Sequence, residues 1–205
     1  VYISQPTEYG TLYSLQELEE LSAVCRERDL KLFVDGARLA YALASPANDV
    51  TLADLARLTD VFYIGGTKCG SLFGEAVVIP ERGSIRQFVT QMKQHGALLA
   101  KGRLLGVQFE ALFEDGLYLV IGEPAVKATA RIREALKRAG YVVTMDSPTN
   151  LTFVALDQAG HERLSDKVRY SIWETLPDGR YLARIGTSWA TPEEDVVAFE
   201  QALAR

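Results

Sequence analysis

The stretch VFYIGGTKCGSLFGEAVVI, from Val61 to Ile79, places one lysine in a glycine-rich turn between two apolar runs. The flanking runs VFYI and EAVVI are typical of buried strands, and Gly65, Gly66 and Gly70 surround Lys68 in the turn. Open α/β sheets bind their ligands outside the carboxyl ends of the strands, and the turn follows such an end. The pattern therefore makes Lys68 the first candidate for chemistry.

The residues before this stretch predict the sheet that carries it. VYIS at the start of the chain and LKLFVD, which ends at Asp35, both have the pattern of apolar strands. Ser14 followed by Glu17 predicts the capped start of a helix between them, and TLADLARL predicts a shorter second helix. Apolar strands that alternate with helices indicate a mainly parallel sheet covered on both faces. We therefore expect residues 1–105 to form part of a large α/β domain.

The second half of the chain predicts a smaller α/β domain over residues 106–205. From Ser84 to about Glu114 the pattern is helical with a break near Gly96, and we expect this segment to bridge the two domains. Beyond it, the segments EPAVKATARIREALKRAG and HERLSDKVRYSIWETL are interpreted as helices, and YVVTM, NLTFVAL and RYLARIGTSW as strands. A closing helix is expected from Thr191.

The composition excludes several classes of partner. The 205 residues carry a formal net charge of −5 with acids and bases interspersed, which predicts binding neither to nucleic acid nor to a membrane. Cys25 and Cys69 lie far apart and only 2 histidines are present, so neither a disulfide framework nor a metal centre is expected. Two widely separated cysteines are best explained by a protein that stays in the reducing cytoplasm. Because the chain opens at Val1 within a strand pattern, we expect it to be part of a longer protein.

The surroundings of Lys68 favour one use of its amine over another. A nucleotide P-loop needs glycine directly before the lysine and serine or threonine directly after it, whereas the chain has Thr67 and Cys69 there. A lysine in a desolvated cleft is instead a nucleophile toward a carbonyl carbon, and pyridoxal phosphate supplies such a carbonyl. This cofactor needs a protonated ring nitrogen, which Asp35 would enforce, and its phosphate suits the Thr67 hydroxyl. The simpler alternative is that Asp35 and Lys68 pair only with each other or with solvent.

An amino-acid substrate of such a cofactor brings a carboxylate, which suits arginine in bidentate geometry. Arg38 lies one helical turn beyond Asp35, so the two side chains can address different parts of one bound molecule. Arg184 stands in the apolar run LARIGTSWAT, where we expect partial burial and where an unpaired cation would be costly. The alternative for Arg184 is an edge-strand arginine in solvent.

Three motifs together resemble the threonine aldolase and β-eliminating lyase group of pyridoxal-phosphate enzymes of fold type I. They are VDGARLA, YIGGTKCGSLFGEAVVI and RIGTSWAT, in the family's order, with 33 positions between Asp35 and Lys68. The resemblance runs from the turn SQPTEYG to the final helix. It implies a large domain with a mainly parallel sheet, a small C-terminal domain, and assembly into a homodimer or homotetramer.

The resemblance also implies roles for individual residues. Lys68 matches the lysine that carries the cofactor as a Schiff base, and Asp35 matches the partner of the pyridine nitrogen. Arg38 and Arg184 match the pair that holds the substrate carboxylate. Thr67 matches a ligand of the cofactor phosphate.

The turn SQPTEYG departs from the family pattern. Many threonine aldolases carry a histidine near the substrate hydroxyl where this chain has Glu8, so the base could be Glu8, a water or the cofactor phosphate. The family's phosphate loop, and the aromatic side chain stacked on the cofactor ring, precede the residues present here. Lys93, in QMKQHG, resembles a family basic residue near the subunit interface.

The activity implied by the resemblance is cleavage of β-hydroxy-α-amino acids of the L-threonine or allo-threonine type to glycine and an aldehyde. Two alternatives are β-elimination on another β-substituted amino acid and a non-catalytic α/β module that keeps the scaffold. An aminotransferase or desulfurase is disfavoured, because those relatives usually carry histidine near the position of Arg38 and serine-histidine before the lysine. We expect this chain by itself to hold only part of an active site and to be inactive.

Overall fold

A computed structural model of the protein describes residues 1–204, which fold into two compact units. The first unit comprises Val1–Gln5, Tyr13–Ala40 and Asp49–Val120. The second comprises Pro6–Leu12, Tyr41–Asn48 and the chain from Ile121 onward. The first unit thus continues past residue 105, and two short segments of the N-terminal half belong with the second unit.

The first unit is built on a sheet of four strands. In chain order these are β1 (Tyr2–Ser4), β2 (Phe33–Asp35), β3 (Val61–Gly65) and β4 (Glu75–Val78), and they lie side by side in the same order. Strands β1, β2 and β3 run parallel, and β4 runs antiparallel to β3. The predicted mainly parallel sheet is confirmed. Because β2 and β3 are parallel, their carboxyl ends lie at the same end of the sheet.

Helices α1 (Leu15–Glu27), α2 (Leu39–Leu43) and α3 (Leu52–Leu58) connect the parallel strands. The predicted cap of α1 is confirmed, because the Ser14 side chain accepts from the Glu17 amide while the Glu17 carboxylate accepts from the Ser14 amide. Thr51 and Asp54 form the same reciprocal cap on α3. Buried apolar residues from these helices and strands fill the core; they include Leu18, Val34, Leu39, Leu55, Leu58 and Phe62.

After β4 the chain forms α4 (Phe88–Gln94), α5 (Arg103–Phe113), a 3-10 turn (Glu114–Gly116) and α6 (Leu117–Val120). The predicted break between two helices is confirmed at Gly96, where φ is +70°. Several large apolar side chains of this segment are exposed, namely Val89, Leu98, Leu99, Leu104 and Val107. No helix within residues 1–204 combines the length and the apolar character that crossing a bilayer requires.

The second unit holds four antiparallel strands, β5 (Val142–Val143), β6 (Leu151–Leu156), β7 (Ser171–Thr175) and β8 (Tyr181–Gly186). They lie in the order β5-β6-β8-β7. Helices α7 (Glu123–Arg138), α8 (Gln158–Ser165) and α9 (Glu193–Leu203) bury apolar residues against one face of the sheet. On the other face Leu151, Phe153 and Leu182 form a smaller core with Tyr9, Met145 and Trp173.

The prediction of one helix over HERLSDKVRYSIWETL is wrong. Helix α8 ends at Ser165, and Ser171–Thr175 form strand β7, which pairs with β8. Tyr170, Ile172 and Trp173 are β-branched or aromatic residues that favour strands, and their pairing with β8 decides the conformation. The register shifts between Ile172 and Glu174, so Trp173 lies at an irregularity in the strand.

Candidate functional site

Asp35 ends strand β2, and donors from both neighbouring strands surround its carboxylate. The Tyr2 hydroxyl on β1 and the Tyr63 hydroxyl on β3 both donate to it. The amide of Ala37 donates to the Asp35 Oδ1 atom over 2.9 Å. Neither tyrosine was predicted, and what places them is the register, because Tyr2 pairs with Phe33 while Tyr63 follows the partner of Val34.

These donors keep the Asp35 carboxyl ionised. Burial by itself raises the pKa of Asp35, but the hydrogen bonds from the two tyrosines and from the Ala37 amide outweigh it. The positive charge of Lys68 acts in the same direction, and the pKa of Asp35 lies below its ordinary value. Burial and the hydrogen bond to Asp35 in turn raise the pKa of Tyr63, so this phenol remains protonated as a donor.

Two glycines let the ends of β2 and β3 approach closely. A Cβ at Gly36 would lie 2.0 Å from the carbonyl oxygen of Tyr63, and a Cβ at Gly65 would lie 2.3 Å from that of Ala37. The Gly65 amide donates to the Gly36 carbonyl over 2.9 Å. The turn that follows β3 therefore begins directly beside the carboxylate at the end of β2.

Lys68 lies in this turn between the buried residues Gly66 and Cys69. Lys68 and Thr67 are themselves exposed, so the desolvated cleft expected around the lysine is not provided by the described residues. Burial raises the pKa of the Cys69 thiol to about 11, which keeps it protonated beside the lysine. Lys68 lies close enough to Asp35 for its charge to act on that carboxyl, so the structure brings these two predicted residues together.

Thr67 has a partner that the sequence did not predict. Its hydroxyl donates to the Glu75 Oε1 atom over 3.1 Å, and the Gly66 amide donates to the Glu75 Oε2 atom over 2.7 Å. A threonine hydroxyl has one proton, and a phosphate dianion only accepts hydrogen bonds. Thr67 can therefore donate to a cofactor phosphate only if its proton turns away from Glu75.

Side chains from the segment after β4 hold the rest of the turn. The Tyr118 hydroxyl donates to the Gly65 carbonyl over 2.8 Å, and Tyr118 is fully buried. The side-chain oxygen of Gln108 accepts from the Ser71 hydroxyl and from the Leu72 amide, at 2.9 and 2.8 Å. Of the partners that were not predicted, Tyr63 and Glu75 lie in the motif YIGGTKCGSLFGEAVVI, whereas Tyr118 and Gln108 carry no local signal.

The remaining predicted site residues divide between the units. Arg38 belongs to the first unit and lies between β2 and α2. Glu8 and Arg184 belong to the second unit, where Glu8 is exposed and Arg184 is half-buried on β8. The partial burial expected for Arg184 is thus observed.

Arg184 packs against an aromatic cluster in the second unit. The guanidinium carbon of Arg184 lies 4.5 Å from the centroid of the Trp173 ring, which is the geometry of a cation–π contact. Trp173 meets the rings of Tyr9 and Phe153 edge-on, each at a centroid distance of 6.1 Å. The Tyr9 hydroxyl donates to Glu174 over 3.1 Å, so the turn that contains Glu8 is attached to the same cluster.

The chemistry of these side chains fits a pyridoxal-phosphate site. An aspartate whose pKa is held low suits a protonated pyridine nitrogen, and Lys68 supplies the amine that would hold the cofactor. Within residues 1–204, no group of three or more His, Cys, Asp or Glu side chains is arranged to hold a metal ion. The fold and the site together define an α/β protein with an ionised carboxylate and a lysine at the ends of adjacent parallel strands.

Comparisons with known proteins place the chain in a family. The sequence model of the family described as beta-eliminating lyase matches residues 1–159. The chain is 31% identical over 201 residues to a low specificity L-threonine aldolase of Pseudomonas aeruginosa, covering 96% of this chain and 56% of that protein. It is 39% identical over 123 residues to a low specificity L-threonine aldolase of another Pseudomonas, covering 58% of this chain and 34% of that one.

A solved structure agrees with these relatives. The threonine aldolase of Leishmania major superposes with a TM-score of 0.94 at 46% identity, covering 100% of this chain and 60% of that chain. The chain belongs to the beta-eliminating lyase family, and the predicted resemblance to threonine aldolases of fold type I is confirmed. It spans 34–60% of the length of the relatives it matches.

Proposed function

We propose that the protein is a pyridoxal-phosphate-dependent lyase that cleaves β-hydroxy-α-amino acids of the L-threonine or allo-threonine type to glycine and an aldehyde. The observation that carries this proposal is the ionised Asp35 beside Lys68, at the carboxyl ends of adjacent parallel strands. Membership of the beta-eliminating lyase family and the similarity to threonine aldolases support it.

Different residues of the first unit are proposed to contact different parts of the cofactor. Lys68 would hold the aldehyde carbon through its amine, and the carboxylate of Asp35 would keep a proton on the ring nitrogen. When bound, pyridoxal phosphate withdraws electrons from the bond that breaks at the substrate Cα atom. Tyr2 and Tyr63 hold the Asp35 carboxylate in place, which reduces the energy needed to orient it during the reaction. Thr67 would donate to the phosphate after its hydroxyl turns from Glu75.

The substrate would be held and deprotonated by other side chains. Arg38 and Arg184 are proposed to bind the substrate carboxylate, because a guanidinium fork matches two carboxylate oxygens. Glu8 is proposed as one of three possible acceptors of the β-hydroxyl proton, with a water and the cofactor phosphate as the others.

Trp173 offers a test of the role of Arg184. Replacing Trp173 by leucine removes the aromatic face beneath the guanidinium, and we expect KM for the amino acid to rise about two- to tenfold. The turnover number is expected to stay within about twofold, because Arg184 itself is retained. Trp173→Phe keeps an aromatic ring there and should recover most of the loss. An unchanged KM in Trp173→Leu would contradict the proposal that the Trp173 ring holds Arg184 in place for the substrate carboxylate.

The product analysis tests the proposed reaction directly. The protein expressed from its complete reading frame, loaded with pyridoxal phosphate, is incubated with threonine or allo-threonine, and glycine and acetaldehyde are both measured. We expect the two products in equal amounts, and none from alanine, which lacks the β-hydroxyl. Ammonia and a keto acid from β-substituted amino acids would indicate β-elimination instead, which the family description also permits. The absence of any product would leave the non-catalytic alternative.

We further propose that the protein self-associates as a homodimer or homotetramer. The segment after β4 supports this, since Val89, Leu104 and Val107 are 63%, 54% and 55% exposed. Lys93 lies on α4 of this segment, consistent with the interface position that the resemblance implies. Light scattering on the protein from its complete reading frame measures the assembly directly.

A cytoplasmic location is proposed on the state of the cysteines. Cys25 and Cys69 are both buried free thiols, as expected for a chain kept in a reducing compartment. Fractionation of cells that express the complete reading frame tests this proposal.

A further inference from the structure

The peptide bond between Gly65 and Gly66 is held at both of its polar atoms by side chains. Its carbonyl oxygen, on Gly65, accepts from the Tyr118 hydroxyl at 2.8 Å and from the Cys69 thiol at 2.9 Å. Its N–H, on Gly66, donates to the Glu75 carboxylate at 2.7 Å. Because the carbonyl and the N–H lie in one plane, rotation of this peptide breaks the bonds on both sides.

This arrangement occurs where the sheet no longer supplies partners. Strand β3 ends at Gly65, which is the last residue paired with β4, and its partner there is Glu75. The buried polar atoms of the next peptide need other partners. Glu75 reaches past the end of the ladder, and its second oxygen accepts from the Thr67 hydroxyl at 3.1 Å. The carboxylate thus binds the two residues that directly precede Lys68.

Close packing around Gly66 leaves the backbone of this turn little freedom. A Cβ at Gly66 would lie 2.8 Å from the Gly74 carbonyl oxygen, 2.8 Å from the Phe109 ring and 2.9 Å from the Ser71 side chain. Interiors packed this tightly resist displacement of the backbone. The Gly65–Gly66 peptide therefore has little freedom to rotate, and the backbone that leads to Lys68 starts from a fixed orientation.

We propose that Glu75 and Tyr118 are positioning residues for Lys68, which they orient by fixing the Gly65–Gly66 peptide from its two sides. This inference rests on the proposed function for the role of Lys68. The hydrogen bonds of Glu75 and Tyr118 to the Gly65–Gly66 peptide, which we call the clamp, do not depend on a cofactor. Glu75 acts on this peptide as a hydrogen-bond acceptor, so a glutamine at the same place should serve as well, with its oxygen accepting from the Gly66 amide and its NH2 group donating to the Thr67 hydroxyl oxygen.

The first measurement is hydrogen exchange of the Gly66 amide in the cofactor-free protein expressed from its complete reading frame. Glu75→Ala removes the acceptor of the Gly66 N–H, and Tyr118→Phe removes one of the two donors to the Gly65 carbonyl, the other being the Cys69 thiol. We expect exchange to become about three- to tenfold faster in each variant. Glu75→Gln should exchange like the unaltered protein. Gln108→Ala is the matched control, because Gln108 holds residues 71–73 and makes no contact with this peptide among the described hydrogen bonds.

The second measurement is trapping of pyridoxal phosphate at Lys68 by borohydride, followed by mass spectrometry of every lysine. We expect trapping at Lys68 to slow about three- to tenfold in Glu75→Ala and Tyr118→Phe, with the other lysines unaffected. Glu75→Gln should recover the original rate. A loss that came only from misfolding would instead change exchange throughout the chain.

The outcomes separate this inference from the proposed function. Unchanged exchange at Gly66 in both Glu75→Ala and Tyr118→Phe would overturn the clamp. Faster exchange with unchanged trapping would overturn the positioning role, and so would a Glu75→Gln variant that behaves like Glu75→Ala. Absence of trapping at Lys68 in the unaltered protein would reject the proposed function, while the exchange data would still decide the clamp. Because Glu75 is exposed, its variants provide the test even if Tyr118→Phe fails to fold.

Discussion

Replacement of Lys68 by alanine is expected to leave the protein colourless with pyridoxal phosphate and to lower turnover at least about a thousandfold. The lysine amine is the group of this chain proposed to hold the cofactor covalently, and alanine has no nucleophile. The measurement is the visible spectrum of the protein expressed from its complete reading frame, together with the rate of glycine formation. Both should change together, because both depend on the same amine.

Lys127→Ala is the matched control for this experiment. Lys127 is an exposed lysine on α7 that pairs with Glu123 over 2.7 Å, in the second unit. Its removal should change neither colour nor turnover, since exposed ion pairs contribute little to stability. An unchanged yellow spectrum in Lys68→Ala would end the proposed role of Lys68.

Asp35→Asn is expected to keep the yellow colour but to lose about a hundred- to ten-thousandfold in turnover. Lys68 is intact in this variant, so the cofactor is still held. Asparagine carries no negative charge and cannot keep a proton on the ring nitrogen, so the withdrawal of electrons from the substrate is weakened. The measurements are the spectrum and the turnover number at saturating substrate.

Asp60→Asn provides the control for the loss of a carboxylate from the same sheet. Asp60 directly precedes β3, so it lies at the amino end of the strands, opposite the end that carries Asp35. There it accepts from the Lys31 amine and from the Leu32 amide, each over 2.9 Å. This variant should lose some stability and keep its turnover. Normal turnover in Asp35→Asn would contradict the role assigned to Asp35.

Much of the fold was predictable because it depends on local patterns. Apolar runs, capping residues and glycine breaks act over a few residues, and they correctly located β2, β3, the cap of α1 and the break at Gly96. The same local reasoning failed over residues 166–176, which follow the end of α8. A helical pattern there was overridden by the pairing of β7 with β8, which no local pattern reveals.

The sequence by itself determined which residues are candidates for chemistry and which family the chain belongs to. Asp35 and Lys68 each follow an apolar strand pattern, where α/β sheets bind their ligands, and the 33 positions between them leave room for a helical connection between two parallel strands. The type of each residue and its spacing along the chain are sufficient for this inference.

Only the tertiary structure decided what surrounds those candidates. The Tyr2 hydroxyl meets Asp35 across 33 positions, and Tyr118 meets Gly65 across 53. Contacts at such separations arise from strand register and helix packing, to which residues across the whole unit contribute, so no short pattern encodes them. The same packing ties the Thr67 hydroxyl to Glu75 and leaves Lys68 exposed, two properties that depend on neighbours in space rather than in sequence.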